Sequence, residues 1–175
     1  MKLKLKVFPL DYSPGYIIFR SATRMKAELL RAFRKNGFDV TPEQWSVLNK
    51  LWEIEGLNQI ELAEKTSKDR HTITRILNLM EEKKLIIRKL DPEDNRCFSV
   101  YLTPEGKDLK NRLIPVVIKH LERTFAGFKN KDLEDLRRMH ERINKNLGKT
   151  QVMKAKSGGA VKLLCSKIPS GQITK

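Results

Sequence analysis

Residues 67–96 read SKDRHTITRILNLMEEKKLIIRKLDPEDNR, and this stretch decides the architecture. Ile73, Ile76, Leu77 and Met80 fall at i, i+3, i+4 and i+7, the spacing of one buried stripe on a short helix. The opposite side carries Lys68, His71, Arg75 and Asn78, flanked by Thr72 and Thr74. A helix that buries one side and shows such groups on the other suits the DNA major groove. Arginine forks to guanine, asparagine pairs with adenine, and threonine offers a hydroxyl or a methyl. Directly behind it, Leu85–Leu90 and Arg96–Leu102 flank the turn formers Asp91-Pro92-Glu93-Asp94-Asn95-Arg96, which predicts a hairpin. Helix plus hairpin is the outline of a winged helix-turn-helix.

Working outward, the element before the reading helix opens with Asn58-Gln59-Ile60-Glu61, a cap with a glutamate three residues on. It predicts a short helix over Gln59–Lys65, with Ile60 and Ala63 inward. The chain then turns through Thr66–Lys68, and Asp69 caps the reading helix. Two short helices joined by such a turn form the helix-turn-helix unit, and the second is the reader. Upstream, Thr41-Pro42-Glu43-Gln44 is a capping box with proline at the first helical position, opening a helix that carries Trp45, Val47, Leu48, Leu51 and Trp52. Ser13-Pro14 starts an earlier helix that runs to about Lys35 and ends at Gly37. Its apolar positions, including Ile18, Phe19, Ala22, Met25, Leu29, Leu30 and Phe33, form a stripe broad enough for more than one neighbour.

After the hairpin, Thr103-Pro104-Glu105 repeats the cap-plus-proline start. A long helix follows, with Pro115 inside it, which must kink or split it because proline cannot donate to Asn111. Asn130 caps a last helix with Leu133, Leu136, Met139, Ile143 and Leu147 as its stripe. The first helix and the last two carry more apolar surface than the reading unit needs, and a second copy of the chain is the economical partner.

The fold class is therefore mainly α: three helices and a β-hairpin wing, with N- and C-terminal helices forming a dimerisation layer. By residue number, 1–12 is a basic extended arm, 13–38 and 103–147 the helical dimerisation region, 39–102 the DNA-binding region and 148–175 a lysine-rich tail. KLKLKVF at residues 2–8 suits an edge strand as well as a solvated arm.

The 175 residues hold 36 Lys plus Arg against 21 Asp plus Glu, a net +15, which favours a polyanionic partner. Six lysines and no acid lie between Gly148 and Lys175, so 15 − 6 leaves +9 on residues 1–147, and the body is basic without its tail. Two cysteines, Cys97 and Cys165, lack metal-ligand spacing and fit a reducing cytosol. No stretch has the length of a membrane span, and the N-terminus lacks a signal-peptide pattern. No P-loop, nucleophile elbow, paired metal ligands or CxxC is present, so we expect no enzyme, no catalytic residue, no metal and no cofactor.

Three pieces of this pattern together resemble the MarR family of prokaryotic transcriptional regulators over residues 12–147. They are Leu57-Asn58-Gln59-Ile60-Glu61-Leu62-Ala63-Glu64, then Thr72-Ile73-Thr74-Arg75-Ile76 with Met80–Arg88, then Asp91–Arg96 with Val100–Gly106. Lys84 departs from the pattern, since the family commonly has glycine there, so the turn is expected to differ in detail. The resemblance implies a triangular homodimer whose reading helices enter successive major grooves, each wing reaching a minor groove, on a palindrome with half-sites about 10 base pairs apart. It also implies a cytoplasmic, nucleoid-associated regulator, more often a repressor than an activator. The family often binds small aromatic anions between the dimerisation layer and the reading lobe; Tyr16, Arg20 and Trp45 are the candidate lining, with an aromatic core serving no ligand as the alternative.

Among the DNA-binding candidates, Arg75 and Asn78 face base edges with His71, Thr72 and Thr74 beside them. Lys68, Arg70, Arg88 and Lys89 are candidates for phosphate, and Asn58 and Gln59 for phosphate at a helix N-terminus. Arg96, held by Asp94, is the minor-groove candidate. Cys97 is a half-buried structural cysteine or an oxidant sensor beside Arg96. The competing reading is a winged helix that binds DNA with weak specificity in an architectural or replication role.

Overall fold

The computed structural model describes residues 9–90 and 98–148. Residues 1–8 of the N-terminal arm, the wing tip with Asp94, Arg96 and Cys97, and residues 149–175 of the lysine-rich tail lie outside the described residues, while Leu10–Tyr12 of the arm is not extended but a 3₁₀ turn.

A single 3₁₀ turn at Leu10–Tyr12 leads into α1 (Pro14–Lys35). Proline at its first position presets the helix, but the Ser13 hydroxyl makes no capping bond, contrary to the sequence expectation. Its far end closes as the glycine predicts. Gly37 takes φ +77°, its N–H donates to the Arg34 carbonyl at 3.0 Å, and the Phe38 N–H donates to the Phe33 carbonyl at 3.0 Å. Only the second half of α1 is buried, through Leu29 and Phe33. The first half leaves Ile17 and Phe19 exposed, at 50% and 64% of their surface.

α2 (Pro42–Glu53) begins with the expected capping box. Gln44 N–H donates to Thr41 Oγ1 at 3.2 Å, and Thr41 N–H donates to Gln44 Oε1 at 3.0 Å. Trp52 Nε1 donates to the Gly106 carbonyl at 2.9 Å, which fixes α2 against the start of the helix α5 (Pro104–Thr124). Next comes a strand that the sequence reading missed. β1 (Leu57–Asn58) pairs antiparallel with β3 (Phe98–Leu102), Leu57 opposite Val100 and Asn58 opposite Ser99. Two residues give no visible alternation, and the second of them is also the helix cap that dominates the pattern. α3 (Gln59–Thr66) and α4 (Arg70–Glu82) follow. In α3 it is Leu62 with Ala63 that is buried, while Ile60 points outward at 43% exposure, correcting its inward assignment.

β2 (Ile86–Leu90) and β3 (Phe98–Leu102) form the hairpin, giving a three-stranded sheet in the order β1-β3-β2. α5 (Pro104–Thr124) starts on the Thr103 cap and continues past Pro115 as one helix, so the proline does not split it. α6 (Asn130–Asn146) starts one residue earlier than expected: Lys129 is the cap, its N–H donating to Asp132 Oδ2 at 2.7 Å. One core runs through the molecule, joining Phe33 of α1, Leu48 and Leu51 of α2, Ile73 and Leu77 of α4, Val100 of β3 and Leu113 of α5. α6 contributes no buried residue; Leu136, Met139, Ile143 and Leu147 stay exposed.

The turn between α4 and the wing carries the departure at Lys84. Lys84 adopts φ +55°, its N–H donates to the Glu81 carbonyl at 2.8 Å, and Leu85 N–H donates to the Met80 carbonyl at 2.9 Å. This is the left-handed helix ending that glycine favours, built here with a lysine. Beneath it, a Cβ on Gly106 would sit 2.1 Å from the Leu85 carbonyl oxygen. The two positions predict opposite outcomes. Lys84→Gly removes the left-handed penalty and should raise stability by up to about 1 kcal/mol. Gly106→Ala forces backbone against backbone and should cost about 3 kcal/mol or more. Thermal and denaturant unfolding of both variants checks the pair; a neutral Gly106→Ala would contradict the contact.

Candidate nucleic-acid interface

The reading helix α4 is fixed at both ends and along one side. Asp69 caps it, Oδ1 accepting from the Thr72 N–H and Oδ2 from the Thr72 hydroxyl, both at 2.7 Å. The Thr72 N–H, then its hydroxyl, hold the Asp69 carboxyl below the usual aspartate value. Ile73, Ile76, Leu77 and Met80 are all buried, as their spacing predicts. His71 and Arg75 consequently face solvent, and neither side chain makes a hydrogen bond or ion pair with the described residues. Arg70 is exposed beside them and Lys68 is half-buried at the turn.

Several other candidates are brought to the same face but are already engaged. Gln59 Nε2 donates to Thr74 Oγ1 at 2.5 Å, and the Thr74 hydroxyl donates to the Arg70 carbonyl at 2.7 Å. These bonds tie α3 to α4, so Thr74 presents its methyl and Thr72 likewise has no free hydroxyl. The Asn58 carboxamide oxygen accepts from the N–H groups of Ile60 at 2.9 Å and Glu61 at 3.0 Å, and Glu61 Oε2 accepts from Asn58 N–H at 2.8 Å. This capping box engages the N–H groups of Asn58, Ile60 and Glu61 that the phosphate role read for Asn58 would draw on.

The wing's first strand meets the outward face of α4. Arg88 Nη2 donates to Asn78 Oδ1 at 2.6 Å, and Arg88 Nη1 lies 3.7 Å from Glu81 Oε2. The Arg88 N–H also donates to Glu81 Oε1 at 3.3 Å. Arg88, read as a phosphate neighbour, is therefore turned into the protein, and its Nε is buried without a partner among the described residues. Sequence reasoning missed this link because Asn78 and Arg88 sit on different elements ten residues apart. Lys89 extends over the Tyr101 ring, 5.4 Å from its centre, with its ammonium toward solvent. Asp94 and Arg96 lie outside the described residues.

The candidate ligand residues are scattered. Tyr16 packs near Phe19, Arg20 is exposed and 3.4 Å from Asp11, and Trp45 is half-buried with an indole N–H that has no partner among the described residues. A cavity of about 680 Å³ lies instead between α1 and α5. It is lined by Arg31, Lys35, Lys119 and Arg123, by Glu28 and Glu122, and by His120 above an Ala32–Val116 floor. His120, which the sequence left as an isolated helical histidine, is buried, with Nδ1 unpartnered among the described residues. Burial, then Arg123, lowers its pKa, while Glu28 opposes them, so the imidazole is biased toward its neutral form. No cluster of three or more metal-binding side chains occurs among the described residues, and no helix there is long and apolar enough to cross a membrane.

Asp69 makes a checkable statement about pH. Its native pKa is lowered, so its contribution is complete above the ordinary aspartate range and is lost as pH falls through the native value. Asp69→Asn keeps a capping oxygen without the titration. Melting curves from neutral pH down to about pH 2 should show a shallower loss in the variant below about pH 4. Equal slopes would contradict the assignment.

The family model described as the MarR family matches residues 40–98, which run from the end of the α1 turn into β3. The chain is 27% identical over 139 residues to the organic hydroperoxide resistance transcriptional regulator of Bacillus subtilis, covering 79% of this chain and 90% of that protein. It is 34% identical over 80 residues to a putative transcriptional regulatory protein for the hcr operon of Thauera aromatica, spanning about half of that relative, 48%. Among solved structures, the transcriptional repressor CouR bound to a 23-mer DNA duplex superposes with a TM-score of 0.70 at 27% identity, covering 80% of this chain and 98% of CouR. CouR from Rhodococcus jostii RHA1 bound to p-coumaroyl-CoA gives 0.67 at 25%, covering 78% and 95%. These relatives are transcriptional regulators, and residues 40–98 of this chain match the MarR family model.

Proposed function

We propose that this chain is a sequence-specific, DNA-binding transcription regulator, a repressor that grips a palindromic operator as a homodimer. The observation that carries this reading is the pair His71 and Arg75. Both are exposed, unpaired among the described residues, and set on a helix whose opposite side is wholly buried. A cationic, uncommitted face on a rigid rod is what base-edge reading needs, and solvation alone does not need the rod. The net charge of +15 favours phosphate attraction, with Lys68, Arg70 and Lys89 as its candidate contacts. Homodimerisation is supported by apolar surface that the single chain leaves open, on α6 and on the first half of α1. CouR, a structural neighbour, was solved on DNA.

The effector belongs to the same reading. The cavity between α1 and α5 joins cations to an apolar floor and an unpartnered imidazole, which suits a small organic anion better than Tyr16, Arg20 and Trp45 do. An anion there would favour a spacing of the two readers that no longer fits the grooves. Benzoate titrated into the operator complex should then weaken DNA binding in wild type and do less in Lys119→Glu.

The deciding experiment measures affinity for a selected palindrome against random DNA at stated salt, with sedimentation on the same protein. We expect a dimer and a specificity ratio of about 10³ or more. Arg75→Ala should lower affinity for the palindrome by about 1–3 kcal/mol and relax preference at one base pair. A ratio near one would favour the architectural, weakly specific alternative.

A further inference from the structure

Asn78 is one of the two base-edge candidates on α4, and its amide is not free. Its carbonyl oxygen accepts a charge-assisted bond from Arg88 Nη2 at 2.6 Å. Arg88 is held there by Glu81, whose Oε1 accepts the Arg88 backbone N–H at 3.3 Å and whose Oε2 lies 3.7 Å from Nη1. Its side chain is only 24% exposed and Nε is wholly covered, so the guanidinium is packed against the protein along its length. Swinging it out to a phosphate would break the bond to Asn78 and the pairing with Glu81 together.

An amide recognises adenine by using both halves at once: the oxygen accepts from the N6 amino group while the nitrogen donates to N7. Here a cation sits on the oxygen. The second lone pair remains, but an adenine amino group approaching it would bring its own positive hydrogens beside the guanidinium. The two hydrogens on Nδ2 stay available, and the cation on the carbonyl makes them better donors. Guanine presents two acceptors, N7 and O6, to such a group, whereas adenine presents one acceptor and one donor.

We propose that Arg88 is a positioning residue that sets the base preference of Asn78: by donating into its carbonyl, it leaves a donor-only amide that reads the acceptor edge of guanine and rejects adenine. The inference rests on the DNA-binding reading above and adds to it a base identity and the residue that imposes it. It also gives the first wing strand a part in sequence reading, delivered through α4 and not through the groove that the wing itself meets.

The test is selection of bound duplex from a random pool, followed by affinity measurements on single-base variants of the selected site, for wild type, Asn78→Ala, Arg88→Met and Arg88→Lys. Wild type should enrich guanine at a position whose preference disappears in Asn78→Ala, with guanine over adenine by about tenfold or more. Arg88→Met, which keeps length but not charge, should move that one position toward adenine and leave the others intact. Arg88→Lys should keep guanine there, since an ammonium still covers the oxygen. Adenine chosen by wild type at the Asn78-dependent position overturns the proposal. So does an Arg88→Met protein that loses affinity for all sequences alike with its base preference unchanged, the behaviour of a phosphate contact. If circular dichroism shows that Arg88→Met does not fold, the wild-type and Asn78→Ala comparison decides by itself. A wild type that enriches nothing defeats the sequence-specific reading, an outcome distinct from a wrong base at one position.

Discussion

The burial of Ile73, Ile76, Leu77 and Met80 beneath α4 is the constraint on which the rest of the molecule depends. A helix of 13 residues is marginal in water and has no preferred rotation. Burying four such side chains supplies roughly 6–12 kcal/mol as an upper estimate, at about 1.5–3 kcal/mol each. A single polar contact on the opposite face nets about 1 kcal/mol. The apolar side therefore sets the rotation of the rod, and the polar side inherits its direction. The remaining elements serve as the floor: Leu48 and Leu51 of α2, Leu62 of α3, Val100 of β3 and Leu113 of α5 meet in the same core. Turning α4 by one residue would carry Arg75 into the buried place of Ile76 and bring Leu77 out to that of Asn78, at a cost no surface bond could offset.

What the sequence made legible follows from this. Features written in local spacing were recoverable: the stripe of α4, the capping boxes at Thr41 and Asn58, the Asp69 cap and the hairpin strands. Features that depend on distant partners were not. β1 is two residues long and exists because β3 lies beside it. Ile60 has the residue type of a core position, but Leu62 and Ala63 occupy the side of α3 that meets the core. The cavity between α1 and α5 is a property of how two helices far apart in the chain lie together, and aromatic residues elsewhere gave no hint of it. Lys84 shows the converse: the left-handed turn was readable as a place that wants glycine, and the surrounding bonds hold it there with a lysine.

The two apolar surfaces of the chain differ in kind. The inner one is closed, with Phe33, Leu48, Leu62 and Leu77 showing no accessible surface. The outer one, along α6 and the first half of α1, is patterned as regularly but touches little. A stripe such as Leu136, Met139, Ile143 and Leu147 is not what solvation selects, because the same positions filled with charge would make as good a helix and a more soluble one. The α6 helix shows that charge is available to it: Arg137, Arg138 and Glu141 occupy the faces between. The contrast within one helix argues that the stripe is kept for a partner of matching shape, and a second copy carries the same stripe by necessity.

The outward face of α4 also divides into two kinds of group, and the division bears on how specificity would arise. Thr72, Thr74 and Asn78 are held by bonds to Asp69, Gln59 and Arg88. The side chains of His71 and Arg75 are not held by any of the described residues. An unrestrained arginine gives up as much as about 2 kcal/mol of rotamer freedom when it docks, whereas a side chain already fixed gives up little. The free pair can adapt to whatever edge lies beneath it, and the fixed group cannot. Discrimination depends on the difference between the right and the wrong base, so a group unable to rearrange around the wrong one contributes more of it than its single bond suggests. On this physical ground, the clamped amide at Asn78 is better suited to choosing a base, and the mobile guanidinium of Arg75 to holding one.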